Sequence, residues 1–288
     1  MSSVFFTKSK MAMSIALAST IALSAPAIAQ NVDDAVIEKS RAALEANTDG
    51  KGFGPQTPRD LGSKEGTNKR LFSMGVPSTS KNLCNIHFHK GAEHKGGEFT
   101  TYAGNGDGMG NNTGFLYSGT LTAAESAPVN ANICAAKGPS LAVGDTLEVH
   151  FVYTSAQATP GPTLGACLSE SVMNPGLRVE TQVIVLVNDE DAIDFNDMAK
   201  IEEVNGYQQA VNIPSDTGTP IEYIGSTTGP AYNEVGSPLK VAWSVRPEVA
   251  KVDASSVGKW CEGNVFNEDH AHAVRNLVVN PKLLSPME

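Results

Sequence analysis

The sequence is poor in positive charge and contains no basic run. Its 288 residues include 21 lysines and arginines but 31 aspartates and glutamates, which gives a formal charge of −10. Proteins that bind nucleic acids need clustered cations to displace the counterions of the phosphates. A nucleic acid is therefore not an expected partner. The sequence after residue 29 also lacks an apolar stretch of about 20 residues that could cross a bilayer, so no membrane partner is expected for this part of the chain.

Residues 1–29 have the pattern of a secretory signal peptide. Lys8 and Lys10 precede an apolar run, and that run ends in the small-residue sequence Ala27-Ile28-Ala29. A positively charged start, an apolar middle and a small-residue end define such a leader. We expect cleavage after Ala29 and export of the mature chain to the periplasm or the extracellular medium.

Cysteine is scarce, but the count of cysteines is even. The four residues are Cys84, Cys134, Cys167 and Cys261. In an exported chain an even number indicates disulfides, here two. Four cysteines allow three pairings, and the sequence does not choose among them.

The mature chain divides into two regions by composition. Residues 30–82 predict a short helix, capped by Asp33 or Asp34, and then a Gly-, Pro- and polar-rich extended surface segment, and we expect both to pack on the domain. Residues 83–288 contain short runs rich in β-branched and aromatic residues between Gly, Asn, Pro and Ser. These runs are LCNIHFH, GFLYSGTL, TLEVHFVYT, RVETQVIVLVND, IEYIGS and LKVAWSVRP. We predict a mainly β (α+β) single domain around a large, twisted, mostly antiparallel sheet, with one helix and an irregular tail over residues 267–288.

Three histidines in two of these runs could meet at a metal ion. Side chains on a strand alternate between faces, so His87 and His89 point the same way while Ile86 and Phe88 can enter the core. His150 lies in a second predicted strand. Catalytic zinc takes three protein ligands and keeps a fourth position open. The spacing therefore predicts a zinc site on neighbouring strands.

A polar residue precedes a histidine by two positions on each of these strands. Asn85 precedes His87, and Glu148 precedes His150. Each polar side chain shares a face with its histidine and can accept the imidazole N–H that does not face the metal. Such acceptors fix the tautomer and orient the ring of a ligand. We include Asn85 and Glu148 in the predicted site.

These segments resemble those of a carbonic anhydrase. Residues 85–94, NIHFHKGAEH, and 147–155, LEVHFVYTS, resemble the delta class, and the resemblance runs through most of the mature chain to residues 257–278. The same elements are similar to the polar-x-His-x-His strand, the Glu-His pair and the Glu-x-His strand of the alpha class. Residues 223–230, YIGSTTGP, resemble the alpha-class Tyr-x-Gly-Ser-Leu-Thr-Thr-Pro segment, without its leucine and with Gly229 in place of its proline.

The resemblance implies a fold, a metal and a reaction. The fold would be similar to that of the alpha carbonic anhydrases, with residues 83–288 as the catalytic domain. The reaction would be the reversible hydration of carbon dioxide to bicarbonate and a proton by zinc-bound hydroxide. Thr227 would orient that hydroxide, Thr228 would face bicarbonate, and Glu93 resembles the glutamate that accepts the hydrogen bond of Thr227. The Zn²⁺ ligands that the resemblance implies are His87, His89 and His150.

Two other interpretations remain open. A cupin would use His87 and His89 with Glu93 as a fourth ligand on a β-barrel, and could take iron or manganese. An inactive exported metal-binding protein would keep the histidines without turnover. Of the remaining histidines, His94 is expected to be a buried partner of Glu93. His270 and His272 are expected on a helix, where a spacing of two residues points side chains apart, and thus as surface or capping residues.

Overall fold

The structure is a computed structural model that describes residues 31–70, 72–130, 132–137, 140–226, 234–275 and 278–287. The signal peptide predicted at residues 1–29 lies outside these ranges. Within them, no helix combines the length and the apolar character that crossing a membrane requires.

Strands dominate the regular structure of the described residues. The helices are α1 (Asp34–Thr48), α2 (Phe195–Met198) and α3 (Ala254–Glu262), with 3₁₀ turns at Ser78–Ser80, Leu164–Cys167 and Pro281–Leu283. The strands are β1 (Asn82–Lys90), β2 (Thr101–Tyr102), β3 (Phe115–Leu116), β4 (Thr146–Thr154), β5 (Leu177–Val187), β6 (Ile201–Val204), β7 (Tyr207–Ala210), β8 (Ile221–Gly225), β9 (Val241–Val245) and β10 (Ala250–Asp253). The predicted mainly β class is confirmed.

One mixed sheet of six strands organises the molecule. Its order is β1-β4-β5-β9-β8, and β10 also pairs with β5. The pairs β1–β4, β4–β5 and β8–β9 are antiparallel, whereas β5 runs parallel to β9 and to β10. The predicted large and mostly antiparallel sheet is therefore confirmed. In the described residues the edge strands β1 and β8 do not pair with each other, so the sheet is open and the cupin barrel is wrong.

The two faces of the sheet pack into separate hydrophobic clusters. One face buries Ile86, Phe88 and Phe151 against Trp260 of α3. The opposite face buries a second cluster, which includes Val152, Val179, Val183, Trp243 and Val245. The central strand β5 is buried along almost all of its length, as expected for a strand that is covered on both faces.

The predicted N-terminal helix forms, and it ties the two ends of the described chain together. Asp33 is the cap, since its Oδ1 accepts the N–H of Ala35 at 2.9 Å. The apolar side of α1 buries Ile37 and Leu44 in a small cluster with Leu283 and its neighbours. The start of the domain is thus held by its C-terminal segment.

The segment after α1 is extended, but the prediction that it lies on the surface is wrong in part. Thr57 and Arg59 are 1% and 3% exposed. Arg59 donates to the hydroxyl and to the carbonyl of Ser285, both at 2.8 Å. Polar residues can be buried when their hydrogen bonds are made inside the protein, and composition does not reveal those partners.

Two disulfides form, as predicted, and the structure establishes their pairing. Cys84 joins Cys167, and Cys134 joins Cys261. Cys84 lies on β1, and Cys167 ends the 3₁₀ turn Leu164–Cys167. One disulfide thus fastens the strand that carries His87 and His89 to a neighbouring loop.

Removing the Cys134–Cys261 disulfide is expected to lower the free energy of unfolding by about 2–4 kcal/mol. The bond links residues 127 positions apart, and cross-linking a long loop restricts the unfolded chain. The double variant Cys134→Ala, Cys261→Ala places no hydroxyl in the core. Urea denaturation measures the loss, and an unchanged free energy of unfolding would contradict the prediction.

The prediction of a helix within residues 267–288 is wrong, because the described part of this range contains no α-helix. The helix of this region is α3, which ends at Glu262. After it, the side chain of Asn264 accepts the backbone N–H groups of Phe266 and Glu268, at 3.0 and 3.1 Å. Side chain–backbone hydrogen bonds of this kind compete with those of a helix. The chain then runs extended beside β1, where His272 donates its N–H to the carbonyl of Phe88 at 2.9 Å.

Candidate metal centre and its cavity

The register of β1 and β4 brings three histidines together. His87 lies directly opposite His150, and His89 lies opposite Glu148. Ile86 and Phe88 point to the other face and are fully buried. The alternation that hides the apolar residues therefore presents the imidazoles on one side of the sheet.

The free nitrogens of the three rings converge. One potential ligand atom from each of His87, His89 and His150 lies within 4.8 Å of the other two. Nδ1 of His150 is 3.2 Å from Nε2 of His87. Tetrahedral zinc with Zn–N bonds of about 2.0 Å requires nitrogens about 3.3 Å apart. The donor set and this spacing fit a zinc ion with a fourth, open position.

Each ring is held by a hydrogen bond on its other nitrogen. Nδ1 of His87 lies 2.6 Å from Oδ1 of Asn85, and Nδ1 of His89 lies 2.8 Å from the carbonyl oxygen of Ala273. Amide and carbonyl oxygens can only accept, so both nitrogens donate and both Nε2 atoms are left for the metal. For His150 the roles are reversed, because its Nε2 lies 2.7 Å from the Glu148 carboxylate and its Nδ1 is free.

Glu148 is the centre of a buried network behind the metal site. Besides His150, it accepts the ring Nδ1–H of His94 at 2.8 Å and the backbone N–H of His94 at 3.1 Å. Nε2 of His94 in turn lies 2.6 Å from the hydroxyl of Tyr223. His94 is buried as expected, but the prediction that Glu93 is its partner is wrong. Burial acts to raise the pKa of Glu148, yet its electrostatic interaction with His94 and the hydrogen bonds that it accepts from His94 and His150 hold that pKa well below its usual range.

The metal-facing imidazoles are neutral at neutral pH. Burial lowers the pKa of His87 and of His150, and it lowers that of His89 to about 3. Neutral imidazole is the form that binds a metal. The site therefore does not have to release protons from these rings before an ion can enter.

Glu93 lies beside the metal-facing rings. Its Oε1 accepts the backbone N–H of Arg275 at 2.8 Å and is 3.6 Å from Nδ1 of His89. The side chain is buried, and this burial raises its pKa. Thr227 and Thr228 lie outside the described residues, so the contact between Glu93 and Thr227 stays a prediction.

A cavity of about 640 Å³ opens over the three imidazoles. Its wall combines the polar site with an apolar side formed by Val152, Leu164, Val179, Leu239 and Trp243. Such a wall can hold a small apolar molecule next to the open metal position. Polar residues of the cavity include Glu268, His272 and Arg275.

His272 is a cavity residue that the sequence did not identify. Its ring centre lies 5.5 Å from that of His87 and 5.7 Å from that of His89. Its Nε2 is 2.8 Å from the carboxylate of Glu268, and 40% of its side chain is exposed. On a helix, the spacing of His270 and His272 would point their side chains apart. On the extended chain that actually forms, it is the spacing of residues on one side.

Comparison with known proteins identifies the family. A family model described as "Delta carbonic anhydrase" matches residues 78–256, which include both histidine strands. The match covers more than half of the chain. The chain belongs to the delta carbonic anhydrase family.

Several solved structures are similar to this chain at low sequence identity. A hyperthermostable carbonic anhydrase from an active hydrothermal vent chimney is 16% identical, with a TM-score of 0.30 over 80% of this chain and 87% of that one. The alpha carbonic anhydrase of Thermovibrio ammonificans, solved with the inhibitor sulfanilamide, is 13% identical, with a TM-score of 0.27 over 78% and 84%. The alpha carbonic anhydrase of Photobacterium profundum is 14% identical, with a TM-score of 0.27 over 78% and 87%. No curated protein sequence matches the chain.

Proposed function

We propose that this chain is a zinc-dependent carbonic anhydrase that catalyses the reversible hydration of carbon dioxide to bicarbonate and a proton. The observation that carries the proposal is the set of three neutral imidazoles, half-buried in His87 and buried in His89 and His150, whose free nitrogens converge in the wall of a partly apolar cavity. Membership of the delta carbonic anhydrase family supports it. The ligands are His87, His89 and His150.

Zinc held by three neutral imidazoles lowers the pKa of water to about 7 and so supplies hydroxide at neutral pH. The protein residues bind and orient the reactants. Val152, Val179 and Trp243 form an apolar wall that can hold carbon dioxide and limit the access of bulk water. Asn85 and Glu148 keep the rings of His87 and His150 fixed, so the ligand geometry changes little during turnover.

The proposal assigns roles to two threonines that lie outside the described residues. Thr227 would orient the hydroxide, Thr228 would face bicarbonate, and Glu93 would accept the hydrogen bond of Thr227. The burial of Glu93 and its position next to His89 support its part of this assignment.

We assign proton removal to His272. Its Nε2–H donates to Glu268, so its Nδ1 is free to accept a proton. The carboxylate of Glu268 then stabilises the imidazolium. The partial exposure of His272 gives the proton a route to buffer.

His272→Ala is expected to reduce turnover at least about tenfold in weakly buffered solution, because proton transfer then lacks a positioned base. Added imidazole buffer should restore most of the rate. Stopped-flow measurement at several buffer concentrations checks both effects, and metal content should not change. A rate that is independent of buffer in both proteins would contradict the assignment.

The function is tested by metal analysis and stopped-flow carbon dioxide hydration on the mature chain, residues 30–288. One zinc ion per chain with fast hydration supports the proposal. If the chain instead binds iron or manganese, and Glu93→Gln abolishes that binding, the proposal is wrong and the protein is a different kind of metalloprotein. Stoichiometric zinc without turnover would replace it with an inactive metal-binding protein.

Export is part of the proposal. Two disulfides fit an oxidising compartment such as the periplasm or the extracellular medium. The signal pattern of residues 1–29 supports the same location. The proposed partners are small molecules, carbon dioxide and bicarbonate.

A further inference from the structure

A second cavity lies next to Glu93. Its volume is about 220 Å³, and Glu93 belongs to the walls of both this cavity and the larger one over the histidines. We call it the rear cavity. Three cationic side chains, Arg41, Arg59 and Lys95, line it together with an apolar part that includes Phe115.

Arg59 is a buried cation whose hydrogen-bond acceptors in the described part of the chain are all neutral. It is 3% exposed, and its terminal nitrogens donate to the hydroxyl and to the carbonyl of Ser285. Its guanidinium also lies 4.8 Å from the centre of the Tyr223 ring. Among the described residues no carboxylate forms an ion pair with it, and burial lowers its pKa. A buried charge is costly unless it is paired.

Two guanidinium groups in this wall keep an unused donor. The Nε atoms of Arg59 and Arg41 are both buried and have no hydrogen-bond partner among the residues that the structure describes. Arg41 pairs with Glu38 through another nitrogen, at 3.0 Å. The cation of Lys95 is already matched, because it lies 2.9 Å from Asp60. Among the described residues, the positive charge of the rear cavity that has no anionic partner is therefore that of Arg59. Both Arg59 and Arg41 offer an Nε–H without an acceptor.

We propose that the rear cavity binds a small oxyanion of the size and charge of bicarbonate. An oxyanion supplies the counter-charge that Arg59 lacks and the acceptors that both Nε–H groups lack. Guanidinium groups suit planar oxyanions because their donors match two oxygens at once. The volume of the cavity is sufficient for one such ion and its water. None of the three metal-site histidines takes part, so the proposal does not depend on hydration activity.

The test is a titration of the zinc-loaded mature chain with sodium bicarbonate against a constant sodium chloride background. The Nε–H resonance of Arg59 is followed by NMR, and the midpoint of thermal unfolding is recorded in parallel. We expect a saturable shift of the resonance and a rise of the midpoint. Arg41→Gln removes one donor from the rear cavity and should weaken binding about tenfold.

Arg70→Gln is the matched control, because Arg70 is exposed and lines different cavities. Its affinity for bicarbonate should equal that of the unmodified chain. A shift of the Arg59 resonance that does not saturate would mean that the rear cavity holds only water and would overturn the proposal. So would an Arg41→Gln variant that binds as tightly as the unmodified chain. Because binding is measured, a chain that lacks turnover can still pass or fail this test.

Discussion

Replacing His150 with alanine is expected to lower the bound zinc from about one ion per chain to less than about 0.1, since only two of the three ligands of a catalytic zinc site remain. Carbon dioxide hydration should fall to the uncatalysed rate. The physical reason is that Nδ1 of His150 and Nε2 of His87 lie 3.2 Å apart across the two strands, which is the separation of two nitrogens bound to one zinc ion. Elemental analysis and stopped-flow hydration measure the two effects on the same sample.

His270→Ala is the control for this substitution. His270 carries the same side chain, but its Nδ1 is bound to Asp269 and it is absent from the wall of the cavity. The control should keep its zinc and its hydration rate. Full zinc occupancy in His150→Ala would exclude His150 as a ligand.

Replacing Glu148 with alanine is expected to lower the free energy of unfolding by about 3–5 kcal/mol, the usual cost of removing one partner of a buried ionic network. Three donors lose their acceptor: the two N–H groups of His94 and the Nε2–H of His150. None of them can reach water, because Glu148 and His94 are fully buried. Urea denaturation of the metal-free chain measures this loss.

Glu148→Gln separates the effect on the metal from the effect on folding. Its amide oxygen can still accept from the two rings, but its NH₂ group then faces the backbone N–H of His94, which has no acceptor. The ring of His150 also loses its anionic partner, so metal affinity should fall about 10–100-fold. A competition titration with a zinc chelator gives the affinity. If Glu148→Gln binds zinc as tightly as the unmodified chain, the negative charge of Glu148 does not contribute to the metal affinity of His150.

Local patterns were enough to predict the strands that carry the site. In β1 and β4 polar and apolar residues alternate, so the face of His87, His89 and His150 follows from the period of a strand. The same alternation relates Asn85 and Glu148 to their histidines. The resemblance of these segments indicated the family that the comparison then showed.

Long-range contacts limited the prediction. The position of His87 opposite His150 depends on the pairing of strands that are about 60 residues apart, which no short pattern encodes. His94 was assigned to its neighbour in sequence, Glu93, whereas its partner Glu148 comes from another strand. The position of His272 in the cavity was not predicted, because the sequence indicated a helix there. The side chain of Asn264 instead accepts the backbone N–H of Glu268, and the chain then runs extended along β1. Each of these depends on a partner that is distant in sequence or on a single side-chain contact.

The two faces of β1 link metal binding to the stability of the folded protein. His87 and His89 are on one face, and Ile86 and Phe88 are anchored in the hydrophobic core on the other. An ion that binds only the folded chain stabilises it by about 4 kcal/mol when its free concentration is a thousand times its dissociation constant. If the protein binds zinc as proposed, the free zinc concentration around it would therefore set its resistance to heat and proteases, as well as the fraction of active chains.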